Sequence, residues 1–164
     1  MDQDEVATTE YSSFSRYALN LQGYDGFDDT EKRSIEWPIR YSPAVCAALA
    51  AVGAALQWPV WQFVAAGIAI LAAVSARGHL VDATFNYGVR HLFGADPMPP
   101  NPRPRRFACL VVSMMLTASG LGFLLDVPVA GFVFGFGLAA VLSVNAFTNW
   151  CLGAFMFRLL RLPA

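Results

Sequence analysis

Three cysteines and two histidines are the residues of this chain whose types could bind a metal or act as nucleophiles. Cys46, Cys109 and Cys151 lie in or beside apolar segments, where a cysteine is usually a small buried residue. Their odd number and their position argue against a disulfide framework. His79 and His91 have no carboxylate or second cysteine at ligand spacing, so we expect no metal site. Axial ligation of a tetrapyrrole by a histidine stays an alternative.

The sequence contains no complete catalytic set. A Gly-rich phosphate loop and a Ser/His/Asp set are both absent. Asp126 is the single charged residue between Phe107 and Phe157, and it falls at a predicted turn. A proton relay or a carrier of charged substrates needs an acid or base in the middle of an apolar segment. We therefore expect a protein without catalytic residues, and the sequence implies no cofactor.

The distribution of charge predicts an all-α integral membrane protein. The chain of 164 residues is 14% charged, against about 25% in soluble domains. Residues 41–76 contain no charge and residues 107–157 contain one. Each run exceeds the roughly 20 residues that cross a bilayer, so each must fold back on itself. The expected partners are the lipid bilayer and other membrane protein subunits, and not nucleic acid.

Each apolar run has a break at which the chain can reverse direction. The breaks are Gln57-Trp58-Pro59 and Asp126-Val127-Pro128, and proline suits the first turn of a new helix. We therefore predict four transmembrane helices arranged as two hairpins, at about residues 40–57, 59–76, 106–125 and 128–149. Residues 150–162 either continue the last helix or form a separate interfacial helix.

Basic side chains predict the orientation of the hairpins. Arginine and lysine occur before the first helix, between the hairpins and after the last helix, whereas the two opposite turns have none. Positive residues stay in the cytoplasm. The hairpins are therefore expected to run in-out-in through a bacterial inner membrane, with both termini cytoplasmic. The start of the chain is acidic and no apolar stretch follows it, so we expect no signal peptide and a retained tail.

The connector between the hairpins, residues 77–105, divides into two parts. Its first part shows helical spacing of apolar residues, with polar residues on another face; the apolar set is Val81, Phe85, Val89 and Leu92, and the polar set is Asp82, Asn86 and Arg90. This pattern predicts a helix on the cytoplasmic interface. Five prolines then predict an extended strap over residues 96–106, with its arginines facing the anionic leaflet.

Residues 1–37 form a predicted cytoplasmic tail ahead of the transmembrane domain, residues 38–164. The first 42 residues hold nine acidic and four basic side chains. Apolar residues nevertheless recur in the tail at helical spacing, namely Tyr11, Phe14, Tyr17 and Leu21. They favour a segment that docks on a partner or on the cytoplasmic face of the bundle itself. Disorder is the alternative.

The two halves of the transmembrane domain resemble each other. Pro38-Ile39-Arg40-Tyr41 is echoed by Pro104-Arg105-Arg106-Phe107, each just before a hairpin. Two hairpins of the same orientation would be related by a twofold pseudo-axis along the membrane normal. Chance resemblance between two apolar hairpins is the alternative to duplication.

The last predicted helix carries two further patterns. Small residues form a ridge at successive i+4 positions, namely Gly131, Gly135, Ala139 and Ser143. Such a ridge lets two backbones approach closely, either within this chain or between subunits. Polar residues follow near the cytoplasmic edge, namely Asn145, Thr148 and Asn149. Hydrogen bonding between helices is their favoured role, and a substrate or ion site is the alternative.

Two short stretches resemble a known family. Pro104-Arg105-Arg106-Phe107-Ala108 before a hairpin, and Asn145 to Gly153 after it, are similar to the bacterial membrane family known as domain of unknown function 4395. The resemblance covers about residues 38–162. It implies four helices in hairpins and a Cys-Leu-Gly-Cys motif, and through some members an association with thioredoxin-like or sulfur-transfer proteins. Cys151 matches the first cysteine of that motif, whereas Ala154 replaces the second.

The loss of one cysteine bears on the expected function. In a CxxC pair one thiolate attacks and the other resolves the mixed disulfide, so Cys151 alone cannot close that cycle within the motif. We therefore expect a non-catalytic accessory or structural subunit of a larger inner-membrane complex. A thiol-redox or sulfur-handling protein that uses Cys151 with a thioredoxin-like partner is one alternative. A small transporter is the other.

Overall fold

The computed structural model describes residues 11–160, and every regular element in that range is helical. This confirms the predicted all-α class. The elements are α1 (Ser13–Leu21), α2 (Asp29–Ala55), α3 (Pro59–Val74), α4 (Leu80–Thr84), a π-helical turn (Phe85–Val89), α5 (Arg90–Phe93), α6 (Arg103–Leu124), α7 (Pro128–Thr148) and α8 (Leu152–Leu159).

The helix α2 begins well before the predicted start at residue 40. The Asp28 side chain accepts a hydrogen bond from the Glu31 N–H, and the Glu31 carboxylate accepts one from the Asp28 N–H. This reciprocal capping box fixes the helix start at Asp29. Pro38 and Pro43 therefore lie inside α2, although proline is favoured in a first turn. The prediction placed the start of the helix at about residue 40 and was wrong by about three turns.

A Schellman turn ends α2 and leads into α3. Gln57 has a φ of 49°, and the N–H of Trp58 donates to the carbonyl of Gly53 over 3.1 Å. A Schellman turn is defined by the left-handed residue together with the bond from the next residue's N–H to the carbonyl five positions earlier. Pro59 then opens α3. The predicted break at Gln57-Trp58-Pro59 is confirmed.

The turn between α6 and α7 has the same form. Asp126 has a φ of 56°, and the N–H of Val127 donates to the carbonyl of Gly122 over 2.8 Å. Pro128 opens α7. Each turn thus combines a glycine that supplies the carbonyl, a left-handed polar residue and a proline. The second predicted break is also confirmed.

The long helices pack across the two pairs rather than mainly within them. α3 lies against α6 and α2 lies against α7, and both contacts are more extensive than the contact of α2 with α3. α6 also packs on α7. Three leucines and four alanines form the core of this bundle, namely Leu116, Leu138, Leu142, Ala47, Ala50, Ala66 and Ala139.

Three of the helices, α2, α6 and α7, are long and apolar enough to cross a membrane. α3 is also apolar, but with 16 residues it is shorter than those three helices. α8 is a separate helix after a break at Asn149, which has a φ of 58°. Two courses were expected for residues 150–162, and the described part of this segment, residues 150–160, takes the one that breaks α7.

The small-residue ridge of α7 packs inside this chain. Gly131, Gly135 and Ala139 are buried, and Ser143 is half-buried. A Cβ atom added to Gly135 would lie 2.7 Å from the Cβ of Ala54 on α2, which is closer than two carbon atoms can pack. The ridge therefore allows α7 to approach α2.

We expect Gly135→Ala to lower the melting temperature of the purified protein, because the added methyl group overpacks the contact between α7 and α2. Overpacking of this kind costs about 1–3 kcal/mol. Gly137→Ala on the same helix is the matched control, since its Cβ would meet nothing within 4 Å. Equal melting temperatures for the two variants would show that α7 does not approach α2 in this way.

Candidate functional site

A buried ion pair joins the connector to the start of α6. Arg105 Nη2 lies 3.4 Å from Asp82 Oδ1, and the two side chains are 7% and 10% exposed. Asp82 lies in α4, and Arg105 is in the first turn of α6. Two charges this far from solvent are stable only where their remaining hydrogen-bonding groups are also satisfied.

Other elements supply hydrogen bonds to both oxygens of Asp82. The Ser42 hydroxyl of α2 donates to Oδ1, and the Asn101 amide of the proline-rich strap donates to Oδ2 over 2.8 Å. The backbone N–H of Asp82 donates to Nδ1 of His79, which caps α4, over 3.3 Å. Asp82 is therefore the point at which α2, α4, the strap and α6 meet.

The chain segment after α1 joins the same cluster. Arg105 Nη1 donates to the hydroxyl of Tyr24 over 3.1 Å, and Tyr24 is 1% exposed. Burial raises the pKa of Tyr24, although Arg105 opposes that shift, so the hydroxyl stays protonated. The guanidinium thus links the N-terminal segment to the connector.

The protonation states in this cluster follow from its contacts. Burial raises the pKa of Asp82, but Arg105, His79 and the hydrogen bonds from Ser42 and Asn101 outweigh it, so the pKa lies below its ordinary value. Burial, helped by Arg105, lowers the pKa of His79, and Asp82 opposes this only in part. At neutral pH the cluster therefore holds a carboxylate, a guanidinium and a neutral imidazole.

The sequence did not predict this cluster. Asp82 was assigned to the polar face of an interfacial helix, but it is buried together with Val81 and Phe85. The assignment was wrong because a charged residue between apolar ones looks exposed unless its partner is known. Arg105 is that partner, and it lies 23 residues further along the chain, where no helical spacing connects the two.

All three cysteines line one partly open cavity beside the cluster. Cys46 comes from α2, Cys109 from α6 and Cys151 from the residue before α8, and the cavity has a volume of about 70 Å³. Arg105 and Asn145 also line it. Among residues 11–160 no group of three histidine, cysteine or acidic side chains is arranged to hold a metal ion.

Cys151 itself is buried at the start of α8. It is 7% exposed, and burial raises its pKa, although the backbone N–H of Ala154 and Arg105 act in the opposite direction. Gly153 allows the close packing of this turn, because a Cβ there would lie 2.6 Å from the Cβ of Ala108 on α6. The thiol is therefore protonated and shielded in this arrangement.

The N-terminal segment covers Cys151. Leu21 packs on Cys151 and Ala154, and the Gln22 amide donates to the Asn149 carbonyl over 2.6 Å. Arg158 of α8 donates a hydrogen bond to the Asn20 carbonyl over 2.6 Å. It also forms an ion pair with Asp25 over 3.0 Å. The described part of the tail, from residue 11 onward, thus folds on the bundle of its own chain, which is one of the two docking modes expected.

The predicted docking residues divide between two environments. Tyr11 and Leu21 are each 6% exposed and are buried within the chain. Phe14 and Tyr17 are 53% and 50% exposed on the outer side of α1. Only the second pair is therefore free to contact another molecule. Residues 1–10, which hold four of the nine acidic residues of the predicted tail, lie outside the described residues.

The polar residues at the end of α7 have separate roles. Asn145 is 8% exposed, and its Oδ1 has no hydrogen-bond partner in the described part of the chain. Thr148 donates to the carbonyl of Val144 over 2.6 Å. Asn149 ends α7, and its amide donates to the Glu36 carbonyl of α2 over 3.4 Å. Asn149 thus ties α7 to α2, whereas Asn145 faces the cysteine cavity.

Comparison with known proteins identifies the family. Residues 37–161 match the family described as Domain of unknown function (DUF4395). The chain belongs to this family. No curated protein and no solved structure matches the chain. The segment that covers Cys151, from α1 to residue 25, precedes the part that matches the DUF4395 family.

We expect Asp82→Asn to destabilise the protein strongly, because it leaves the buried Arg105 guanidinium without a counter-charge. Breaking a buried pair by removing one partner costs about 3–5 kcal/mol. Asp126→Asn is the matched control, because Asp126 is exposed. Asparagine can also adopt the left-handed backbone conformation that this turn requires. Thermal unfolding in detergent measures both variants. Equal stability of the two would contradict the assignment of Asp82 to a buried pair.

Proposed function

We propose that this DUF4395 protein crosses the bacterial inner membrane four times, with both termini and the connector in the cytoplasm. The two Schellman turns support two hairpins, and the loops at both turns lack arginine and lysine. α3 would span about 24 Å at 1.5 Å per residue, which is about 6 Å less than the hydrocarbon core, and local thinning of the bilayer accommodates a mismatch of this size. The similarity of the two turns also supports an origin by duplication.

The proposed function is that of a non-catalytic accessory subunit in a larger membrane complex. The exposed pair Phe14 and Tyr17 is the observation that carries this proposal. The pair is held in place because Arg16 forms an ion pair with Asp29 over 2.7 Å and Leu21 is buried. A fixed pair of exposed aromatic rings on a cytoplasmic helix is suited to binding another subunit, because it loses little freedom on binding.

We expect the protein, extracted gently from its source membrane, to run in a particle that contains a stoichiometric partner. Phe14→Ser with Tyr17→Ser should lower recovery of that partner on the order of tenfold, because interface anchors of this kind contribute most of the binding energy. Tyr87→Ser is the matched control, since Tyr87 is 86% exposed on the connector. A monomer in the wild-type extract, or full recovery with the double variant, would contradict the proposal.

The position of the cysteines supports a second candidate, a thiol function of Cys151 with a soluble thioredoxin-like partner. Cys109 and Cys46 line the same cavity as Cys151, so a resolving thiol could come from outside the motif. In that cycle the partner's disulfide would be reduced to two thiols while two of these cysteines formed a disulfide. This candidate requires the covering segment to move, since Cys151 is shielded by Leu21.

We expect Cys151 to react slowly with a maleimide in the intact protein, because the thiol is buried and protonated. If Cys151 has a thiol function, Leu21→Asp should loosen the segment that covers Cys151 and raise the labelling rate at least tenfold. Phe14→Asp, an exposed position on the same helix, is the control. Rapid labelling of the wild type would contradict the shielding, and an unchanged rate in Leu21→Asp would exclude the thiol candidate.

A further inference from the structure

A polar cleft lies between the connector helices and the proline-rich strap. Its volume is about 310 Å³, which is large enough for a small organic molecule. The π-helical turn contributes Asn86 and Tyr87 to its lining, and the strap contributes residues 98–100. We refer to this space as the connector cleft. A single π-helical turn within a helical segment is frequent at functional sites.

Hydrogen bonds hold the strap in place beside the connector helices. The Asn86 amide donates to the Met98 carbonyl over 3.3 Å, and its Oδ1 accepts the Met98 N–H over 2.7 Å. Further along the strap, the N–H of Asn101 donates to the Ala76 carbonyl over 2.8 Å. The walls of the connector cleft are therefore fixed before a ligand arrives, which lowers the entropic cost of binding.

The side chains of the cleft that accept hydrogen bonds are already occupied. Both oxygens of Asp82 accept hydrogen bonds from other elements, and Arg105 balances its charge. Asn86 uses both its oxygen and its nitrogen on the strap. Neither of these side chains therefore has an unused acceptor for a ligand.

Two donors in the cleft have no partner in the described part of the chain. Nδ1 of His79 accepts the Asp82 N–H, so the proton of the neutral ring is on Nε2. This Nε2–H makes no hydrogen bond among residues 11–160, although His79 is only 8% exposed. The guanidinium of Arg77 is exposed and likewise forms no ion pair or hydrogen bond in that range. A buried donor without a protein partner is costly, so it is usually satisfied by water or by a ligand.

We propose that the connector cleft binds a small organic oxyanion, a carboxylate or a phosphate monoester, through His79 and Arg77. Unused donors beside occupied acceptors select a ligand that accepts hydrogen bonds. Arg77 selects an anion, because the nearby Asp82 is already balanced by Arg105. The cleft leaves room beyond a bare phosphate ion, so the body of the ligand lies against residues 98–100.

The proposal does not depend on the membrane topology or on the accessory role. All residues that line the cleft lie between positions 76 and 100, outside the long helices α2, α3, α6 and α7. A failure of the partner experiment above therefore leaves this site untouched, and a failure of the binding experiment below leaves the accessory role untouched.

Saturation-transfer difference NMR on the full chain in detergent tests the site. The probes are benzoate, phenyl phosphate and uncharged benzamide. We expect at least one anion to bind, and benzamide to bind more weakly by on the order of tenfold, because only an anion forms charge-assisted hydrogen bonds with both donors. Tighter binding of benzoate assigns the site to carboxylates, and tighter binding of phenyl phosphate assigns it to phosphate esters.

Two variants test the two donors separately. Arg77→Gln should weaken binding of the preferred anion on the order of tenfold, because it removes the charge. His79→Asn should weaken it by a similar factor, since asparagine still accepts the Asp82 N–H at the helix start but has no donor in place of Nε2. Arg33→Gln is the matched control, because it removes an exposed arginine that does not line the cleft.

Several outcomes overturn the proposal. They are that neither anion binds, that benzamide binds as tightly as the anions, or that Arg33→Gln weakens binding as much as Arg77→Gln. Equal affinity for inorganic phosphate would show that the cleft holds only an ion and would also overturn the proposal of an organic ligand. If His79→Asn does not fold, Arg77→Gln decides the matter, because Arg77 is exposed.

Discussion

The buried pair of Arg105 and Asp82 is the interaction on which the end of the bundle that carries the connector depends. Arg105 lies in the first turn of α6 and binds both the connector through Asp82 and the N-terminal segment through Tyr24. Ser42 and Asn101 donate the remaining hydrogen bonds to the Asp82 carboxylate. Because an unpaired buried charge is costly, all of these segments must be in place together. The cluster therefore fixes where the connector and the tail lie.

That arrangement determines the environment of the cysteine motif. Cys109 and Cys151 share a cavity with Arg105, and the segment held by Tyr24 continues from Leu21 and Gln22, which cover Cys151. The cover comes from outside the region that matches the family. Cys151 is therefore shielded in this chain, which agrees with the proposed accessory role.

Local signals were sufficient for most of the fold. Long apolar runs interrupted by a polar residue and a proline gave α3, α6 and α7 to within a few residues, because both turns depend on nearby atoms. The start of α2 was wrong, since a capping box at Asp28 outweighed the proline signal. The site was missed, because the contact of Asp82 with Arg105 and the meeting of three cysteines depend on packing between distant segments.

The most direct test of the central role of this pair is amide hydrogen–deuterium exchange of the Arg105→Met variant in detergent. Methionine keeps much of the volume of the side chain and removes the hydrogen bonds to Asp82 and Tyr24. The account predicts faster exchange in two separate segments, α4 with the π-helical turn and the residues from 19 to 27, while α7 stays protected. Faster exchange confined to the first turn of α6 would contradict the claim that Arg105 holds the connector and the tail.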